Sequence, residues 1–174
     1  MRETLAGEPT LAEALMDRPA APLLAPLVRT ALDAHQAVGL DLILEGFLLH
    51  YGRPRQLQPA DRSAAVLAGD YCYAQGLVRV AGADDLFSIR TLADLIALGA
   101  NLIAADEREL AVLLWRASCA AIAARPGAER DRDGAALGEA CHLLRVGELV
   151  AGRAALRALA ERLPPTPDLI EALR

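Results

Sequence analysis

Through the stretch 27–49, Leu27, Ala31, Ala34, Val38, Leu42 and Leu49 fall on one side of a helix of 3.6 residues per turn. Little in the chain argues for strands. Hydrophobic residues make up 54% of it, alanine and leucine dominate them, and only 3% of residues are aromatic. Alanine and leucine are strong helix formers, whereas strands favour aromatic and β-branched residues. The expected class is all-α, a single helical bundle of about seven helices. At 174 residues the chain is long enough for one domain with its own core.

Local signals give a first set of boundaries. Thr10-Leu11-Ala12-Glu13 reads as a capping box that opens a short helix to about Asp17. Pro22 and Pro26 open a long helix to about Tyr51, ended by Gly52-Arg53-Pro54. Pro59 and Asp61 start a helix that Gly82 stops. Asp84 and Asp85 start another, to about Ala105. Asp106-Glu107 opens the helix carrying Trp115. The charged run from Pro126 to Gly134 reads as a loop. A helix from about Ala135 to Val150, a break near Gly152, a helix to about Leu163 and a short C-terminal turn capped by Asp168 complete the bundle.

Composition removes several function classes. Net charge is −5, from 18 basic and 23 acidic residues, with no basic stripe carrying interleaved aromatics. A nucleic-acid partner is therefore not expected. All 18 basic residues are arginine, so Schiff-base chemistry and a lysine clamp on phosphate are excluded. Cys72, Cys119 and Cys141 are odd in number and widely spaced, and read as reduced core thiols. His35, His50 and His142 lack ligand spacing, and Ser118 has no general base within helical reach. Without a leader-like start or an apolar run of about 18 residues free of charge, a cytoplasmic protein with no transmembrane segment is expected.

One stretch is more specific. Ala65-Val66-Leu67-Ala68-Gly69-Asp70-Tyr71-Cys72-Tyr73-Ala74-Gln75 resembles the Gly-Asp-aromatic helix of trans-isoprenyl (polyprenyl) diphosphate synthases. In those enzymes an Asp-Asp-x-x-Asp motif precedes that aspartate at a spacing that here lands on Asp41-Leu42-Ile43-Leu44-Glu45. The family's Arg-Arg-Gly-x-Pro turn corresponds to His50-Tyr51-Gly52-Arg53-Pro54, which keeps the glycine and proline but neither arginine. Leu113–Ile122 is similar to the family's Thr-Ala-x-Leu-Phe helix without its lysine, and 156–164 to its C-terminal helix. Leu137–Leu149 is similar to the helix bearing the second Asp-rich motif, with Arg145 and Val146 in place of its paired carboxylates and Glu148 nearby.

The resemblance implies an isoprenoid-synthase-like scaffold with degenerate chemistry. In the family, carboxylates from two facing helices hold the magnesium ions that draw off a diphosphate. Here Asp41 and Glu45, four apart on one helix face, could hold one weak cation, while Arg145 on the opposite helix would repel it. Losing several such electrostatic groups should abolish turnover. The plainer reading of Asp41 and Glu45 is a solvated face, or a salt bridge to Arg53 or Arg55; that of Asp70 is a paired carboxylate inside the bundle. Tyr71 and Tyr73 point to different helix faces, so at least one of them is expected to meet something beyond the core, although a half-buried tyrosine is the commoner case.

Three functions fit these features. The first is the non-catalytic small or regulatory subunit of a heteromeric polyprenyl diphosphate synthase making quinone side chains, partnered by a catalytic subunit and needing no cofactor. The family's Gly-Asp helix contributes to its dimer interface, which maps to about residues 60–105 with Gly69, Asp70, Tyr71, Tyr73 and Gln75. The second is a weakly active magnesium-dependent prenyltransferase using Asp41, Glu45 and Glu148. The third is a homodimeric helical module holding an isoprenoid or another lipid.

Overall fold

The computed structural model describes residues 1–29, 31–82 and 85–173. These form ten α-helices: α1 (Arg2–Ala6), α2 (Pro9–Ala12), α3 (Ala25–Val28), α4 (Ala34–Tyr51), α5 (Arg62–Ala81), α6 (Leu86–Ala104), α7 (Arg108–Ala123), α8 (Ala128–Arg145), α9 (Leu149–Ala160) and α10 (Pro167–Leu173). Apart from an isolated antiparallel bridge between Leu15 and Leu57, the rest of the described chain is turn and irregular backbone. The all-α class holds. Ten helices replace the expected seven or so, in part because residues 2–28 break into three short pieces before the first long helix.

Two central helices organise the bundle. α4 is buried along its whole middle, from Leu40 to Leu49, and α7 from Leu110 to Ile122 apart from Leu113 and Arg116. Helices apolar on all sides belong inside. α7 packs against α3, α6, α8, α9 and α10, and α4 against α3, α5, α6 and α10. Phe47 and Trp115 meet edge to face at 5.4 Å between ring centroids and join the two. Ile43 belongs to the same core cluster, with Leu40, Leu92, Leu95, Leu114 and Leu156. A smaller cluster under the N-terminal segment joins Leu5, Leu11, Leu42, Leu49, Leu57, Ala68 and Cys72.

Several boundaries differ from the local signals. Thr10 lies inside α2 and its hydroxyl donates to Glu8, so it caps nothing. The proline-opened helix is only α3; the long helix begins at Ala34, where Asp33 and Gln36 form a reciprocal capping box. Asp33→Ala should cost about 1 kcal/mol, read as a lowered urea midpoint with unchanged m-value. Asp61 and Asp85 cap α5 and α6 as expected, through Ala64 and Ser88; Asp84 lies outside the described residues. From Ala128 the charged run after Pro126 forms the first two turns of α8 rather than a loop, since Glu129 and Asp131 suit a helix N-terminus. The break between α8 and α9 falls at Gly147, with φ +84°, and Gly152 lies within α9 against Leu144.

α6 meets the length and apolarity of a membrane span, with mean hydropathy 1.5. Within this fold its Leu92, Leu95, Leu98 and Leu102 face the core, while Arg90 and Asp94 project outward from its middle.

Candidate functional site

Asp41 and Glu45 lie one turn apart on α4, and both are buried. The Asp41 carboxylate accepts from the backbone N–H groups of Leu23 (3.0 Å), Leu24 (2.9 Å) and Ala25 (3.1 Å), the start of α3. Glu45 accepts from Arg55 (2.9 and 3.1 Å), Gln56 (2.8 Å) and Leu57 (3.0 Å). The two segments so held are also stitched together: Ala20 N–H donates to Arg55 C=O, and the Gln56 side chain donates to Ala20 C=O. Irregular chain covering a core needs partners for its buried N–H groups. Two carboxylates from the neighbouring helix supply them.

This geometry corrects the solvated-face reading. It also corrects the salt-bridge reading, because Glu45 takes the Arg55 backbone N–H, while the Arg55 guanidinium reaches Ala21 C=O and Asp168. Burial pushes both carboxyls up from their ordinary values. The backbone donors, and then the Arg55 charge, pull the other way without overtaking it.

The void beside the pair measures about 10 Å³. That is near the lower limit for one water, so a hydrated magnesium ion with a diphosphate does not fit. Arg145 and Glu148 are not opposite these carboxylates either. α8 packs on α6, α7 and α9; Arg145 is exposed and pairs with Asp94 of α6 at 2.8 Å, and Glu148 is the exposed residue before α9. Among the described residues no three His, Cys, Asp or Glu side chains converge as metal ligands.

The turn after α4 is a structural joint. The Arg53 N–H donates to Ala172 C=O at 2.8 Å, and a Cβ at Gly52 would lie 2.6 Å from that oxygen. The Arg53 side chain is exposed near Glu171, and Pro54 is half-buried. Gly69 has a packing reason. Along the antiparallel α4–α5 pair, Gly39 faces Gly76 and Gly46 faces Gly69, seven residues apart on each helix. A Cβ on Gly76 would approach Gly39 C=O to 2.6 Å, and one on Gly46 would approach Gly69 C=O to 2.8 Å. The backbones run closer together than side chains allow.

His50 fills the space beside Gly69, stacks on Tyr73 at 5.3 Å with 6° between the rings, and brings Nε2 to 3.2 Å from Asp70 Oδ1. Asp70 is exposed, so its contact with His50 lies at the surface rather than inside the bundle. Burial, then the nearby Tyr51, Asp70 and Cys72, pushes the Tyr73 phenol well above its ordinary value. The Gln75 side chain accepts from Arg79 at 3.0 Å. The three cysteines are free and buried, and burial raises Cys72 and Cys119 to about 12 and Cys141 to about 11.

The outward side of α5 is the unusual surface. Ala64, Leu67, Tyr71, Ala74, Val78 and Ala81 succeed one another three and four residues apart, the spacing of a coiled-coil seam, with Ala64 and Tyr71 half-buried at its edge and the others exposed. Leu67 is 71% and Val78 67% exposed. Of the charges on α5, Arg62 is turned to His50 C=O, and Arg79 to Gln75 and Thr4. That leaves Asp70, exposed between Leu67 and Ala74, as the one unabsorbed charge of α5 on a face where a solvent-facing helix ordinarily carries several. Tyr71 also lines a groove of about 450 Å³ between α5 and the N-terminal segment, beside Leu11 and Ala14. The seam was present in the residue spacing, but only the packing shows which side of α5 is turned outward.

No family model, no curated protein and no solved structure matches the chain.

Proposed function

We propose that this chain is a non-catalytic helical subunit of the polyprenyl diphosphate synthase type, joining a full-length catalytic synthase through the outer face of α5. The observation that carries the reading is the seam from Ala64 to Ala81, in which Leu67, Ala74, Val78 and Ala81 are exposed and Ala64 and Tyr71 half-buried, on the helix that the resemblance assigns to the interface. The commitment of Asp41 and Glu45 to backbone N–H groups supports a structural rather than a chemical role for the first motif. A quinone side-chain pathway is the setting that the resemblance implies.

A second reading, a homodimer, is favoured by one feature. Laid antiparallel on a second copy about a two-fold axis at the level of Cys72 and Tyr73, the seam sets Tyr71 over Ala74, Leu67 over Val78, and Ala64 against Ala81. Tyr71 then meets a small residue, and the apolar pairs match across the axis, as a self-complementary patch requires.

Co-expression with a catalytic synthase, followed by sizing and product analysis, tests the first reading. A complex with altered product length supports it. A homodimer indifferent to the synthase supports the second, and a monomer in both settings sinks both. Leu67→Glu with Val78→Glu should weaken whichever association exists by about 100-fold or more, because these are the most exposed large apolar residues of the seam and two buried carboxylates would replace them. At concentrations where the chain is monomeric, the melting temperature should stay the same.

A further inference from the structure

A cleft of about 340 Å³ opens where α7, α9 and the end of α10 meet, with no contribution from α5. Its rim carries Arg108 and Arg116 from α7, Arg153 and Arg157 from α9, and Glu109 as the acidic residue. Val112 and Ile170 belong to its apolar lining. In a chain with 23 acidic and 18 basic residues, this concentration of positive charge is a local feature.

The arginines are not equivalent. Arg116 donates to the C=O groups of Ala160 (2.9 Å) and Leu163 (3.1 Å), and Arg108 donates to Leu173 C=O (2.9 Å). Backbone carbonyls orient a guanidinium without neutralising it. Arg108 also lies 3.6 Å from Asp106, whose side chain is 93% exposed and holds little of that charge. Arg153 is shared between Glu107 (3.4 Å) and Glu109 (3.0 Å). The Arg157 guanidinium, one turn further along the same face of α9, has no hydrogen-bond or ion-pair partner among the described residues. Like charges one turn apart destabilise a helix. The cleft thus holds positive charge that internal acids do not cancel, directly beside apolar side chains.

We propose that this cleft binds an anionic amphiphile: a phosphate ester carrying a short apolar chain. Arg157 and Arg108 engage the head, and Val112 and Ile170 line the chain. The planar guanidinium fork matches phosphate oxygens, and Arg157 and Arg108 together can share the several oxygens of one doubly charged phosphate head, where a carboxylate offers two. The volume, at the low end for ligand sites, sets the chain at a few to about ten carbons.

Titration of the full chain with octyl phosphate, octanoate, inorganic phosphate and octanol, followed by calorimetry or amide NMR shifts, tests this. Octyl phosphate should bind at least about tenfold tighter than each of the other three, and added salt should weaken it. Arg157→Gln, at an exposed position, and Ile170→Ser should each reduce that affinity about tenfold with the melting temperature of Arg157→Gln unchanged. Absence of octyl phosphate binding up to ~1 mM, or binding indifferent to Arg157→Gln, overturns the site. Equal binding of inorganic phosphate or octanol overturns the amphiphile, and equal binding of octanoate overturns the doubly charged head. None of these outcomes depends on whether α5 associates, so the two proposals fail separately.

Discussion

Glu45→Ala is expected to lower stability by more than about 3 kcal/mol. The substitution removes one acceptor but strands three N–H groups, those of Arg55, Gln56 and Leu57, of which the last two are buried. Each orphaned buried donor costs about 1–3 kcal/mol, against a total stability of about 5–15 kcal/mol for an ordinary domain. The loss should appear in urea unfolding, together with faster amide exchange in residues 55–57. Glu45→Gln should be milder, because one amide oxygen can still accept where Oε1 accepts from all three.

The pH response follows from the same burial. Folding raises the Glu45 and Asp41 values, so the fold favours the neutral carboxyls. Their contribution is complete below the unfolded value of about 4 and is lost as pH rises through the folded values. Glu45→Gln, neutral at every pH, should flatten that part of the stability profile.

Gly76→Val is the second large effect. Even the first added carbon would sit 2.5 Å from Ile43 Cγ1 and 2.6 Å from Gly39 C=O. The latter is backbone in a buried helix, which no rotamer change can move aside. Overpacking of this kind costs about 1–3 kcal/mol where neighbours can adjust, and here α4 and α5 must separate along their glycine-lined contact. The melting temperature should fall by several degrees. Gly138→Ala serves as the control. Nothing lies within 4 Å of its added Cβ, and alanine suits a helix better, so that variant should be as stable as the parent or more stable by up to about 1 kcal/mol.

What the sequence revealed depended on how local the cause was. Asp61 and Gly82 bracket α5 because a cap and a stop act within a turn of the residues they control. Asp33 was harder to see because Pro22 and Pro26 offer a competing start, and only the return bond from Gln36 decides between them. The run after Gly127 reads as a loop by its charge, yet that charge sits at a helix start, where carboxylates are favoured. Asp41 and Glu45 were legible as a pair on one face. Their partners were not, because those are backbone groups of Leu23–Ala25 and Arg55–Leu57, brought in by tertiary packing that residue spacing does not encode. Gly69 stood out in the sequence, while its pairing with Gly46, and that of Gly39 with Gly76, shows only in the packing of two helices.

The glycine-lined contact between α4 and α5 also bears on the order in which the chain folds. The two helices are neighbours in sequence, joined through 52–61, and Glu45 of the first already grips that connection at Arg55–Leu57. Closing a short loop is entropically cheap, and contacts between sequence neighbours form early. The hairpin can therefore assemble before α7 is available to cover it, presenting a stiff plate on which the later helices condense. The joint between Arg53 and Ala172 is of the opposite kind. It locks only when α10 arrives, which makes it a latch on a structure whose first half is already in place.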